Sequence, residues 1–364
     1  MEHNDFRSAL KVNEGIVQPP PVNEDAVLRF IKKNRKTLSP HEYVEGIISG
    51  NLTLLSQAIT LVESSLPAHA IIAQEVIEKC LPHAGKSLRI GITGVPGVGK
   101  STFIESLGKI ITSGGNKLAV LAIDPSSEKS KGSILGDKTR MEDLSIDPNA
   151  FIRPSPSAGS LGGVARKTRE TIILCEAAGF NTIFIETVGV GQSETAVHSM
   201  VDFFLLLMLA GAGDELQGIK RGIMEMADAI AITKSDGNNF DRATLAAAQY
   251  RNALHLFPKA PSTWMPKVLL SSAITNMGIA DIWKTINNYV DLTKENNFFF
   301  QRRHQQSKYW MYETINESLR NQFYRNEEIE QELPQFEQDV LNDRLTSFQA
   351  ARILLQKYSH HQKK

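Results

Sequence analysis

The chain has 364 residues, of which 41% are hydrophobic and 22% charged, so it can bury a sizeable core as one large domain or two, and global disorder is excluded. Lys plus Arg and Asp plus Glu number 40 each, which gives no electrostatic case for a nucleic acid or an anionic membrane as partner. The two cysteines, Cys80 and Cys175, are far apart in sequence, so we expect free thiols rather than a disulfide framework.

The first forty residues are polar and contain Pro19-Pro20-Pro21, which predicts a flexible arm over 1–40. This segment resembles neither a secretory signal nor a transit peptide. The longest apolar run, 203–212, has about ten residues, roughly half of a membrane span. We therefore expect a cytoplasmic protein that does not cross a membrane.

Over 41–85 the apolar residues recur at helical spacing, which predicts an N-terminal helical extension. Strand-like and helix-like stretches then alternate over 86–292. The predicted strands are 88–93, 118–123, 182–186, 202–209, 229–233 and 268–271, and the predicted helices include 101–111, 166–178 and 242–256. Such alternation is typical of a doubly wound α/β domain with a mostly parallel sheet, whose ligand lies at the carboxyl ends of the strands.

After 292 the strand pattern stops, and 293–364 is predicted to be a helical arm. One apolar stripe recurs every four residues from Met311 to Phe323, and a second follows Pro334. The spacing predicts two amphipathic helices with polar outer faces. They either pack on the α/β domain or form a dimerisation arm.

Residues 94–101 read Gly-Val-Pro-Gly-Val-Gly-Lys-Ser and match the phosphate-binding pattern G-x-x-x-x-G-K-[ST] at every fixed position. A buried strand precedes the loop and a helix follows it, which predicts a nucleoside triphosphate at the helix N-terminus. Lys100 would meet the β- and γ-phosphates, and the Ser101 hydroxyl would bind Mg²⁺. The nucleotide-binding residues predicted here are Gly94, Val95, Pro96, Gly97, Val98, Gly99, Lys100, Ser101 and Thr102.

Acidic residues follow two of the predicted strands. Glu186 ends an apolar strand and Gly189 follows three residues later, which is the spacing of the Asp-x-x-Gly element of GTPases with Glu in place of Asp. Glu186 would bind Mg²⁺ directly or through water, and the Gly189 N–H would meet the γ-phosphate. Asp124 can reach the metal or the attacking water, or it can be a turn residue. Val190 stands where many GTPases carry a water-orienting Gln, and Gln192 lies two residues beyond it. We therefore predict slow intrinsic hydrolysis that a partner accelerates or gates.

Thr233-Lys234-Ser235-Asp236 follows an apolar strand and resembles the guanine-reading [N/T]-K-x-D element. The Asp236 carboxylate would accept from the guanine N1–H and 2-amino group, and the stem of Lys234 would lie along the ring. A backbone N–H that meets guanine O6 is expected within Ser271-Ser272-Ala273. The motifs together predict a GTPase.

The complete set of motifs resembles the methylmalonyl-CoA mutase-associated GTPases of the MeaB/ArgK type. The matching segments are 94–101, 124–127, 132–141, 161–170, 186–194 and 211–222. The resemblance implies a GTP-dependent chaperone, usually homodimeric, that gates cofactor loading into an adenosylcobalamin-dependent acyl-CoA mutase and protects or reactivates it.

By position, the resemblance assigns Lys100, Ser101, Asp124, Asp137 and Glu186 to the catalytic phosphate and Mg²⁺ site. It makes 189–194 switch II, and it makes 211–222 an extra switch that reports the nucleotide state to the mutase. Thr233 departs from the commoner Asn and lacks the amide that would bond guanine N7, so selectivity for GTP over ATP depends more on Asp236.

Three alternatives stay open at this point. A nickel-type metallochaperone GTPase is expected to show Cys/His clusters, whereas the nine histidines are scattered. An ATPase or kinase linked to amino-acid transport fits Asp236 and Glu186 less well. The third is a nucleotide-regulated scaffold whose hydrolysis is incidental.

Overall fold

A computed structural model describes residues 38–124, 141–156, 161–187, 193–211 and 221–361. The residues from Pro40 onward belong to one compact unit, and the account below concerns this unit. The predicted arm over 1–40 therefore lies almost wholly outside the described residues. So do all but the last residue of the matching segment 132–141 and most of the two predicted switch segments.

Seven parallel strands form a single sheet in the order β3-β2-β4-β1-β5-β6-β7. The chain crosses from one side of β1 to the other after β4, which is the doubly wound arrangement that the alternating pattern predicts. The strands are β1 Leu88–Gly94, β2 Leu118–Asp124, β3 Ala150–Pro156, β4 Thr182–Thr187, β5 Phe203–Leu209, β6 Ala229–Thr233 and β7 Lys267–Leu270.

Strand β3 was not predicted from the sequence. It contains Pro154 and Pro156, and proline lacks the N–H that a central strand must donate. The structure places β3 at the edge of the sheet, paired only with β2. An edge strand needs hydrogen bonds on one side only, so the two prolines are tolerated there.

Thirteen α-helices lie within the described ranges. They are α1 Pro40–Ile48, α2 Leu52–Glu63, α3 Pro67–Cys80, α4 Lys100–Ser113, α5 Glu142–Ser145, α6 Leu161–Ala177, α7 Ser193–His198, α8 Arg221–Met226, α9 Phe240–Leu254, α10 Ile279–Glu295, α11 Phe298–Tyr324, α12 Glu327–Leu341 and α13 Ser347–His361. Helices α1 to α3 pack on one another and on α6. None of these helices is long and apolar enough to cross a membrane.

The core lies on both faces of the sheet, as alternate residues of β5 illustrate. Leu205 and Leu207 face the layer that contains α4 and α10, while Leu206 and Met208 face α9. Because both faces are covered, β5 is apolar throughout, which explains the long hydrophobic run in the sequence. Cys80 and Cys175 are free and fully buried, as expected for thiols without a disulfide partner.

The C-terminal region has three helices after α10 rather than the two that were predicted. Pro334 lies inside α12 and does not separate the helices. The second apolar stripe belongs to two helices, because the chain turns between Asn342 and Thr346, where Asp343 has a left-handed φ of 56°. The prediction of a single helix there was wrong, although the helical character of the arm was right.

Candidate functional site

The glycine-rich loop connects the carboxyl end of β1 to the N-terminus of α4, as the motif predicts. Gly97 and Gly99 have φ angles of 79° and 91°, a left-handed conformation that favours glycine. A Cβ added to Gly94 would lie 2.5 Å from the carbonyl oxygen of Leu207 on the neighbouring strand β5. The shape of the loop and its close contact with the sheet therefore both depend on glycine.

Lys100 is folded into this loop. Its Nζ donates to the carbonyl oxygens of Gly94 at 2.8 Å and Val95 at 3.3 Å. Burial lowers the pKa of Lys100, while the nearby carboxylates of Glu186 and Glu194 oppose that shift. The ammonium group thus already lies where successive loop carbonyls converge, close to two acidic side chains.

Three strand ends meet beside the loop. In the parallel register Glu186 of β4 lies between Ile92 of β1 and Ala122 of β2, two residues before Gly94 and Asp124 respectively. The Thr187 hydroxyl donates to the Thr93 hydroxyl at 2.7 Å, which joins the ends of β4 and β1.

The donor set on this side fits a magnesium ion. The half-buried Ser101, in the first turn of α4, supplies a hydroxyl, and Glu186 supplies a carboxylate, which are the hard oxygen ligands that Mg²⁺ prefers. Asp124 ends β2, as predicted, but its side chain is outside the described part of the structure, as are Asp137, Gly189 and Gln192.

The segment after β6 contacts the phosphate-binding loop directly. The buried Thr233 places its hydroxyl 2.8 Å from the Val98 carbonyl oxygen, and Nζ of Lys234 donates to the Gly97 carbonyl at 2.9 Å. Lys234 has a left-handed φ of 53°, and its carbonyl accepts from the Asn239 side-chain amide at 2.7 Å. The predicted base-reading segment is therefore fixed against the loop that would hold the phosphates.

The segment after β7 holds the carboxylate of Asp236. The Ser272 hydroxyl donates to that carboxylate, and the Ser271 N–H donates to the Ile232 carbonyl at 2.8 Å. On the other side, Ser106 of α4 donates to the Ala273 carbonyl at 3.0 Å. These contacts bring the end of β7, Asp236 and helix α4 into one group.

The described site residues that the motifs predict thus lie at one edge of the sheet, the carboxyl edge. Sequence reasoning missed the polar side chains that support them, namely Thr93, Ser106, Thr187 and Asn239. Three of them share a signal, a polar residue at the end of a buried strand or in the turn that follows, whereas Ser106 lies within helix α4. That signal is too frequent to be specific without the structure.

The sheet order and the glycine-rich loop between β1 and α4 define a P-loop nucleotide-binding protein of the α/β class. The sequence profile of the methylmalonyl-CoA mutase-associated GTPase MeaB family matches residues 55–328. The chain belongs to this family, binds guanine nucleotide and is a GTP hydrolase.

Relatives whose sequences match most of this chain agree with the family assignment. The GTPase ArgK of Escherichia coli is 45% identical over 297 residues, which are 82% of this chain and 89% of ArgK. The mitochondrial methylmalonic aciduria type A homolog of Mus musculus is 46% identical over 323 residues, 86% of this chain and 78% of the mouse protein. A crystal structure described as a LAO/AO transport system kinase has a TM-score of 0.70 at 36% identity and covers 88% of this chain and 97% of its own.

Proposed function

We propose that this GTPase is a chaperone of an adenosylcobalamin-dependent acyl-CoA mutase of the methylmalonyl-CoA type. It would gate loading of the cofactor and protect or reactivate the mutase. The observation that carries the proposal is the family match over residues 55–328, since the family is described by its association with that mutase. The mouse relative, named for methylmalonic aciduria, supports the same client class.

In the proposed site Lys100 leaves the carbonyls of Gly94 and Val95 and pairs with the β- and γ-phosphates of GTP. In support of this, Nζ of Lys100 already lies at the loop that would hold the phosphates. Ser101, Asp124, Asp137 and Glu186 would hold Mg²⁺, which when bound would neutralise negative charge on the phosphates.

Guanine is proposed to bind between Lys234 and the end of β7. The carboxylate of Asp236, oriented by the Ser272 hydroxyl, accepts from guanine N1–H and the 2-amino group. Adenine does not present that pair of donors, so Asp236 would exclude ATP. The hydroxyl of Thr233 is directed to the Val98 carbonyl, so we propose that Thr233 stabilises the loop while Asp236 selects the base.

Hydrolysis by the isolated protein is proposed to be slow and to be accelerated by the client, with 189–194 and 211–222 as the segments that respond to nucleotide. We further propose a division into an arm (1–40), a helical extension (41–85), the GTPase domain (86–292) and a helical dimerisation arm (293–364).

An apolar cavity of about 750 Å³ in the C-terminal helices supports the homodimer. Phe336 and Val340 of α12 and Leu354 of α13 line it, while Leu341 and Phe348 nearby are 74% and 86% exposed. Exposed apolar surface of this kind marks protein interfaces. We expect Phe348→Glu to convert the dimer to a monomer in light scattering, whereas Ile146→Glu, equally exposed at 82% but outside the arm, leaves the mass unchanged. A wild-type protein that is monomeric at micromolar concentration would remove the homodimer from the proposal.

The function itself is tested by GTP turnover with and without purified methylmalonyl-CoA mutase, with ATP run in parallel. We expect the mutase to stimulate GTP hydrolysis, ATP to be ignored, and Lys100→Ala to abolish turnover. Asp236→Asn should remove the preference for GTP over ATP. No stimulation by any cobalamin-dependent mutase would contradict the chaperone role.

The ATP arm of this experiment also tests the transport-linked ATPase or kinase alternative. The description of the similar crystal structure favours examining it, and equal use of ATP would support it. For the metal-delivery alternative, no group of three or more His, Cys, Asp or Glu in the described ranges could hold a metal ion, so no observation favours it.

A further inference from the structure

A second cavity, of about 1060 Å³, lies at the amino edge of the sheet. Its walls come from the starts of β1 and β4, from helix α6 and from helices α10 and α11. Because β1 has seven residues and a strand rises about 3.3 Å per residue, this cavity is roughly 20 Å from the glycine-rich loop. It is therefore separate from the nucleotide site.

Two arginines at the base of this cavity have carboxylate partners. Arg89, only 4% exposed, forms a bidentate pair with Glu176 at 2.9 and 3.1 Å. Arg303 forms a second bidentate pair with Asp202 at 2.7 and 2.6 Å. Glu176 also accepts from Ser87 and Gly85, and Asp202 from the Arg89 N–H, so both carboxylates are fully engaged.

Arg169 of α6 is the third arginine in this group, and it has no carboxylate of its own. Its side chain makes no hydrogen bond or ion pair with any described residue, and its Nη1 is buried without a partner, as is Nη1 of Arg89. Burial, and then the nearby guanidinium of Arg89, lower the pKa of Arg169 to about 10. Arg169 is half-buried, and the carboxylates of Glu176 and Asp202 act against the lowering of its pKa, but each of these carboxylates already has a bidentate arginine partner. Three arginines therefore share two carboxylates, which leaves a net positive charge at the cavity wall that an anion would neutralise.

The rest of the wall is suited to an organic ligand. Trp283 of α10 and Phe299 of α11 supply aromatic surface, and the Arg303 guanidinium lies 4.5 Å from the centre of the Phe299 ring. At the exposed rim Lys86 and Lys294 add positive charge, and Asp291 contributes one carboxylate. Ligand pockets commonly combine an apolar wall with a few convergent polar groups.

We propose that this cavity binds an anionic small molecule whose phosphate or carboxylate group pairs with Arg169 and whose apolar part lies against Trp283 and Phe299. A guanidinium matches the planar or forked oxygens of either anion. The proposal is independent of the client and of the chemistry at the glycine-rich loop.

The test uses the full chain saturated with GDP, so that the phosphate-binding loop is occupied. Phenyl phosphate and phthalate are titrated separately by calorimetry, which distinguishes the phosphate from the carboxylate source. We expect at least one probe to bind, and Arg169→Met to weaken it by at least tenfold. Arg242→Met, which removes an exposed arginine on α9, should bind the probe as the wild type does. A probe that binds against Trp283 should also change the tryptophan fluorescence of the protein, and Trp283→Phe should remove that change.

Two further measurements keep the outcome unambiguous. Lys100→Ala without nucleotide should retain probe binding, because the loop is not the site. Arg169→Met should unfold at a temperature no lower than the wild type, since it removes a half-buried guanidinium whose Nη1 has no hydrogen-bond partner. If it does not fold, Arg169→Lys, which keeps the charge but loses the bidentate geometry, should weaken binding instead. Absence of binding by both probes, equal affinity in the Arg169 variants, or loss of binding in Lys100→Ala would overturn the proposal.

Discussion

His198, the last residue of α7, should make the stability of the protein depend on pH between 7 and 5. Its ring lies edge-on against Phe204, with ring centroids 5.6 Å apart. Burial, and then the positive charge of Arg302, lower the pKa of His198 to about 3. The unfolded chain, with a pKa near 6.5, binds a proton in this range while the folded protein does not, so the free energy of unfolding falls as the pH falls below 6.5. At about 1.4 kcal/mol per pH unit, the loss from pH 7 to pH 5 is about 2 kcal/mol.

This value is measured by urea denaturation at a series of pH values, for the wild type and for His198→Gln. Other groups titrate over the same range, so the informative quantity is the difference between the two pH profiles. His255→Gln, which removes an exposed histidine after α9, is the matched control and should follow the wild type. A His198→Gln profile parallel to that of the wild type would refute the argument, because it would mean that His198 titrates alike in both states.

Three substitutions test the nucleotide site. Ser272→Ala removes the hydroxyl that holds Asp236 and should weaken GDP binding about tenfold, the equivalent of one hydrogen bond to a charged group, with little change in ATP binding. Gly94→Ala places a Cβ against the Leu207 carbonyl and should reduce GDP affinity by roughly 10- to 100-fold, measured with a fluorescent guanine nucleotide. Thr233→Val removes the hydroxyl that donates to the buried Val98 carbonyl, and should lower the free energy of unfolding by about 1–3 kcal/mol in urea denaturation. An unchanged free energy of unfolding would contradict the proposal that Thr233 stabilises the loop.

The convergence of the segments of the proposed nucleotide site was predictable, because each motif is local in sequence. The loop 94–101 needs glycines, a lysine and a hydroxyl at fixed spacing, and the segments 233–236 and 271–273 each follow an apolar strand. Parallel strands place their carboxyl ends at one edge, so the strand pattern alone brings these segments together. The strand pattern could not predict which hydrogen bonds join these segments. The Thr233–Val98 and Ser106–Ala273 contacts depend on the separation of neighbouring strands and helices.

Proline explains both errors in the predicted elements. In β3 the prolines at 154 and 156 hide a strand that is possible because it lies at the sheet edge, and edge position is not visible in a single segment. In α12 Pro334 suggests a helix boundary, yet the helix continues through it. The actual boundary, around Asp343, carries no proline or glycine. In each case the packing of the whole fold outweighs a local preference.

The charged group at the amino edge of the sheet could not be predicted from spacing at all. Arg89, Arg169, Glu176, Asp202 and Arg303 come from four separate parts of the chain and meet only after the sheet has formed. One of them nevertheless carries a signal: Arg89 interrupts the apolar strand β1, which is central and covered on both faces. A charge in such a position must find a partner within the protein, since water is excluded from it. A buried arginine in a parallel strand therefore indicates that acidic residues will converge on it, although the sequence does not say which ones.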